Sequence, residues 1–175
     1  MTKRQKEIFG LLLIVFSFLS LISLFGHDIT EHPKGLLDGY KPNNYLGYFG
    51  AYISHYHYIL LGYSSIIFPI IFAILGYVVF SGKTIKVGIK PISYILMIGL
   101  LFALFMSLIA HFNNNSLLNN YFSGIIGYTI FIFLKDFLGI VGVSIILFIS
   151  IVVLITNIYK VSIYSLFDNA YFYLK

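Results

Sequence analysis

Four stretches of this sequence, residues 8–25, 59–80, 92–110 and 138–158, contain no Asp, Glu, Lys or Arg. Each is 18 to 22 residues long, the length a helix needs to cross a hydrocarbon core about 30 Å thick. A Lys, Arg or Asp at the centre of such a helix costs about 2.5–3.5 kcal/mol on insertion scales, so runs this long and free of charge are explained by lipid. Composition agrees: 59% of the chain is hydrophobic, 10% is charged and the mean hydropathy is +0.95, whereas a soluble domain is about one-quarter charged. The fold class that follows is an all-α membrane protein with four transmembrane helices. The basic start, MTKRQKE, followed by an apolar run superficially resembles a secretory signal. That signal has an apolar region of about 7 to 15 residues and a small-residue cleavage site, whereas this run is longer and leads into Gly26, His27, Asp28 and Ile29; it reads as a retained first helix. With no cysteine, disulfides, thiolate chemistry and cysteine metal sites are excluded.

The charges orient the helices. Lys3, Arg4 and Lys6 precede the first run, Lys83, Lys86 and Lys90 fill the link between the second and third, and Lys160 follows the fourth. By the positive-inside rule these segments are cytoplasmic. The other two connections have no positive excess: the first carries Asp28, Glu31, Lys34, Asp38 and Lys41, the second only Lys135 and Asp136. They are expected outside, with both termini inside.

A glycine frame divides the chain into two units. Gly47, Gly50 and Gly62 recur as Gly124, Gly127 and Gly139, each pair 77 positions apart, and Asn43 with Asn120, Tyr45 with Phe122, Ile53 with Ile130 and Leu61 with Leu138 keep the same offset. Such self-similarity marks a repeat. Combined with the charges it predicts two parallel helix-loop-helix repeats, residues 8–80 and 92–158, in a single integral membrane domain spanning 1–175, unlike the inverted repeats of many transporters. Within each unit a short glycine-framed segment, 45–53 or 121–134, precedes the second span. As a span, the latter would be about 14 residues long or would bury Asn113, Asn114, Asn115, Asn119 and Asn120. Both segments are therefore expected as short interfacial or re-entrant helices on the outer face. The connection from His27 to Asn44 contains Pro33, Gly35, Gly39 and Pro42 and reads as an irregular link. The aromatic residues 159–175 read as a cytoplasmic juxtamembrane tail. Pro69 removes a backbone hydrogen bond from the second span and is expected to kink it near its middle.

The segment NNYLGYFGAYISHYHYILLGYSSIIFPIIFAILGY resembles the membrane region of FtsK/SpoIIIE DNA translocases, in which Asn, Gly-x-x-Gly-Ala, a spaced Gly and a Pro lead into the second span. These positions are Asn44, Gly47, Gly50, Ala51, Gly62 and Pro69. The later segment SGIIGYTIFIFLKDFLGIVGVSIILF is similar to the family's second-half pattern, supplied here by Gly124, Ile126, Gly127, Tyr128, Leu138, Gly139 and Gly142. Ser123 stands in place of the first of the paired glycines and His55 where an acidic residue is common. The resemblance implies a multi-pass anchor in the bacterial cytoplasmic (inner) membrane at the division septum, acting in cell division and chromosome partition. Implied partners are the lipid bilayer, membrane proteins of the division machinery, further copies of the chain, and a motor domain if one is encoded downstream. DNA contact belongs to the motor, so no direct nucleic-acid binding by this segment is implied.

No enzyme activity is expected, because the chain has no Gly-x-x-x-x-Gly-Lys-Ser/Thr loop to cradle a nucleotide phosphate, and no cofactor is expected either. Helix packing or partner contact is expected at Asn44, Gly47, Gly50, Ala51, Gly62, Pro69, Gly124, Gly127, Gly139 and Gly142, because glycines expose backbone for close approach. His27, His32, His55 and His57 cluster on the expected outer side. His55 and His57 would diverge on a helix and share a face on a strand; they read as interfacial residues, and no metal site is assigned. Lys135 and Asp136 read as an interfacial pair. The alternative reading, a small four-helix transporter or channel subunit, suffers from a lack of midplane charge: the spans offer chiefly serines, among them Ser17, Ser20, Ser23, Ser64, Ser65 and Ser107, which typically bond their own helix or a neighbour.

Overall fold

The structure, a computed structural model, describes residues 2–28, 41–113 and 116–162. Most of the first connection, including His32, lies outside the described residues, as do Asn114, Asn115 and the tail from residue 163. Every regular element among the described residues is helical: α1 (Lys3–Phe25), α2 (Gly47–Leu61), a 3-10 turn (Gly62–Ile66), α3 (Ile67–Phe80), α4 (Lys86–Phe112) and α5 (Ser116–Tyr159). Among the described residues four stretches are long and apolar enough to cross a membrane, namely α1, the α2–α3 stretch, α4 and the Tyr121–Tyr159 part of α5. The all-helical, four-span class expected from the charge-free runs is therefore the observed one. The chain divides into two compact units, residues 1–132 and 133–175.

In the first unit α1 begins with a capping box: Gln5 N donates to Thr2 Oγ1 (3.3 Å) and Thr2 N to Gln5 Oε1 (2.8 Å), which satisfies backbone donors that a helix start leaves open. Its packing face is a line of small residues, Gly10, Ser17, Ser20 and Ser23, at spacings of seven and three that keep them on one side of a helix. This face lies along α3. A Cβ on Gly10 would sit 2.6 Å from Phe80 Cα, one on Gly76 would sit 2.9 Å from the Gly10 carbonyl oxygen, and Phe16 meets Phe72 edge to face at 5.0 Å. Small residues let membrane helix backbones approach closely, and dispersion then holds them together where no hydrophobic effect operates. The opposite faces, with Leu12, Phe18 and Phe25 strongly exposed, are the surface such a helix offers to lipid.

The second span is broken, and at a different place from that expected. Pro69 is the third residue of α3, a first-turn position where a missing N–H is tolerated. The break is the 3-10 turn, opened by Gly62 at φ +56° and ψ −133°. α3 has only 14 residues, about 21 Å of helix, so it does not match the hydrocarbon thickness unaided. α4 starts at Lys86, six residues before the apolar run, and holds Pro91 inside it; Ser93 Oγ donates to the Lys90 carbonyl at 2.8 Å in the same turn.

In the second unit helix continues to Tyr159, where Lys160 turns left-handed (φ +54°) and Val161 N bonds back to Thr156 O at 3.1 Å, a six-to-one closure that satisfies a terminal carbonyl. Ser144 Oγ bonds the Ile140 carbonyl of its own helix (3.0 Å). Lys135 and Asp136 lie in the helical run, 3.8 Å apart, with Asp136 two-thirds exposed, an arrangement worth little as an ion pair.

Candidate functional site

Three residues fix where α2 begins. Buried Asn44 accepts from Leu46 N through Oδ1 (3.1 Å) and donates through Nδ2 to the Ser23 carbonyl near the end of α1 (2.9 Å). Its own carbonyl accepts from Gly47 N at 2.8 Å. A side chain bonding the backbone two residues on mimics a turn, which is why Asn suits this position. Ser23 Oγ then donates to the Gly50 carbonyl (2.5 Å). Gly50 is obligatory in this lock, because a Cβ there would strike the Asn44 side-chain amide. Ala51, buried beside it, supplies the carbonyl that accepts from Ser54 Oγ (3.1 Å). Farther along α1, Ser20 Oγ lies 3.3 Å from His57 Nδ1 and Ser17 Oγ donates to the Pro69 carbonyl (2.7 Å). The α1 serines thus bond successive levels of the α2–α3 stretch.

The frame glycines fall into two physical kinds. Gly47 and Gly124 are left-handed at φ +59° and +66°, and Gly62 and Gly139 at +56° and +71°. The same two steps of the repeat therefore reverse the sign of φ in both copies, 15 residues apart each time. A 44-residue helix would measure about 66 Å if unbroken; left-handed residues at 124 and 139 interrupt its regular winding. Gly50 and Gly127 have no such backbone and are instead crowded: a Cβ on Gly127 would lie 2.7 Å from Ala103 Cβ on α4. Gly62 and Gly124 serve both needs, since a Cβ on either would meet the other's backbone nitrogen, at 2.7 and 2.5 Å. Gly47 and Gly139 have open space where a Cβ would stand, and Gly142 is met only by Leu138 of its own helix. Spacing in sequence does not distinguish these uses.

Where Gly62 meets Gly124, aromatic rings gather. His27 stacks on Tyr58 (4.2 Å), Tyr58 on Tyr121 (5.6 Å) and Tyr63 on Phe122 (5.0 Å). Ser54 Oγ lies 3.1 Å from both the Ala51 carbonyl and His27 Nδ1, and His27 Nε2 is buried and unbonded among the described residues. Burial first and the nearby His55 second pull the His27 pKa down to about 4, against a smaller upward pull from Asp28, so the ring is neutral at pH 7. His57, two residues from His55, faces the other way and stacks on Phe68 at 4.5 Å, the divergence a helix imposes. Among the described residues no group of three His, Asp or Glu side chains is arranged to hold a metal ion.

This arrangement of small residues, serine bonds and aromatic rings suits helix association. Compared with known families, residues 2–171 match the model of the 4TM region of DNA translocase FtsK/SpoIIIE. The chain belongs to this family. Comparison with curated proteins and with solved structures gives no match.

In this 4TM region the sequence reading named the Asn44 and glycine positions but missed the small residues on α1, at its end and across from it on α3. Gly26, whose Cβ would lie 3.0 Å from Tyr45 N, and the Gly10–Gly76 crossing were not singled out. The three-residue spacing of Ser17, Ser20 and Ser23 was the signal that could have found the α1 face.

Proposed function

We propose that this chain is the membrane anchor and interaction module of a cell-division DNA translocase, held in the bacterial cytoplasmic membrane at the septum with both termini in the cytoplasm, and that ATP hydrolysis and DNA movement belong to a motor outside this segment. The match of residues 2–171 to the membrane region of such translocases carries this reading. The interior supports it: the α1 serines are bonded to neighbouring helices, a packing use of polar groups, whereas transporters and channels place ionisable groups near the bilayer midplane. The exposed apolar faces of the helices are available to lipid, to division-machinery membrane proteins and to further copies of the chain. A fluorescent fusion of residues 1–175 expressed in dividing cells is expected to concentrate at division sites. Uniform membrane fluorescence would sink the septal assignment, and ATP hydrolysis by the purified chain would sink the division of labour with a motor.

A further inference from the structure

At the end of the first unit opposite His27, the N-terminal turns of α1, the end of α3 and the start of α4 enclose a groove of about 620 Å³. Its apolar wall includes Phe9, Val79 and Ile89, and its rim carries Lys6, Lys83 and Lys86 with Thr84 between the last two. Among the described residues no carboxylate lines it. Lys83 is held in place, with Nζ 3.2 Å from the Tyr77 hydroxyl and 4.8 Å from the centre of the same ring. Phe9 and Ile89 are about half exposed, so the groove opens sideways toward lipid as well as along the helix axes. Phe9 and Val79 belong to the charge-free runs and Ile89 to the first turn of α4 beside them; with three ammonium groups at the ends of those runs, the groove reproduces the two halves of an anionic phospholipid: acyl chain below, phosphate above.

We propose that this groove binds an anionic phospholipid, with the acyl chain against Phe9, Val79 and Ile89 and the headgroup phosphate among Lys6, Lys83, Lys86 and the Thr84 hydroxyl. A zwitterionic lipid fills the same apolar space but brings its own cation to a rim that is already cationic. Basic pockets between membrane helices select anionic headgroups for this reason, and each Lys or Arg near an anionic surface adds to the attraction. The site is a feature of the first unit alone and does not depend on septal localisation.

The chain contains no tryptophan, so the full chain carrying Phe9→Trp has a single reporter in the groove. In vesicles of mostly unlabelled phosphatidylcholine, brominated phosphatidylglycerol as a minor component is expected to quench that reporter at least about threefold more than the same fraction of brominated phosphatidylcholine. Adding K6Q, K83Q and K86Q should bring the two quenchers level. Adding K3Q and R4Q, which removes two charges of the same terminus outside the groove, should leave the preference in place. Equal quenching by the two lipids in the Phe9→Trp chain would overturn the proposal and leave the groove to non-selective lipid or to another protein segment. Equal loss of preference in the K3Q/R4Q chain would overturn it in favour of diffuse surface attraction. The substituted lysines are exposed, and far-UV circular dichroism of each chain reports folding separately from lipid choice.

Discussion

Replacing Gly62 by alanine tests the contact on which the two glycine frames meet. Two costs add. At φ +56° and ψ −133° the backbone is in a region that L side chains avoid, a strain of about 1–3 kcal/mol. The new Cβ would also stand 2.7 Å from Gly124 N and closer still to the Phe122 carbonyl. Both neighbours are backbone, so no rotamer change relieves the overlap, and forced overpacking adds about 1–3 kcal/mol. Gly47→Ala is the uncrowded control: φ is likewise positive, at +59°, and nothing lies within 4 Å of the new Cβ, so it carries a conformational cost without the overlap. Equilibrium unfolding of the purified chain by SDS in mixed micelles, followed by far-UV circular dichroism, should place Gly62→Ala about 1–3 kcal/mol below Gly47→Ala. Gly124→Ala, whose Cβ would lie 2.5 Å from Gly62 N and from the Leu60 carbonyl, should match Gly62→Ala. The double variant should cost less than the two singles together, because either one already forces the same backbones apart. If Gly62→Ala and Gly47→Ala agree within about 0.5 kcal/mol, the scatter expected of independent sites, the close approach of Gly62 and Gly124 does not exist in the folded protein.

Asn44→Ala removes the partner of the Ser23 carbonyl and of Leu46 N; leaving buried polar groups unbonded should lower stability by about 1–3 kcal/mol in the same assay, and no loss would mean that Asn44 does not tie α1 to α2. For His27 the folded pKa, about 4, lies below the ordinary 6.5. The unfolded chain therefore binds the extra proton first, and this residue's contribution is complete above pH 6.5 and declines as pH falls toward 4. Melting temperatures across that window should fall less steeply for His27→Ala than for the parent, and parallel curves would refute the assignment. Because the chain lacks cysteine, single cysteines report sidedness: a membrane-impermeant maleimide should label Lys41→Cys in cells with an intact cytoplasmic membrane and Lys83→Cys only after permeabilisation, and the reverse pattern would invert the proposed topology.

Much of the architecture was legible because lipid imposes a simple rule on sequence. Charge cannot enter the hydrocarbon cheaply, so the four clean runs located α1, the α2–α3 stretch, α4 and the end of α5. Element ends were less legible. α4 extends back through Lys86 and Lys90 because a helix continues into the headgroup layer once charge is no longer penalised. The break in the second span was assigned to Pro69 and is found at Gly62, since a proline in the first turn of a helix disturbs little, whereas a left-handed glycine redirects the chain. The serine face of α1 was seen only as scattered polar residues. Its meaning depends on Pro69, His57 and Gly50, up to 52 positions away.

The sequence by itself determined the four long apolar runs, the family and a glycine spacing that recurs 77 positions on, because hydropathy, charge and glycine spacing are properties of residue type. It also showed that Gly47, Gly50, Gly62 and their partners 77 positions on belong together. Only the tertiary structure decided what each one does. Glycine serves equally where φ must be positive and where a neighbour leaves no room for a Cβ. The four left-handed positions, the crowded Gly50 and Gly127, and the doubly constrained meeting of Gly62 with Gly124 separate only once distant backbones are brought together.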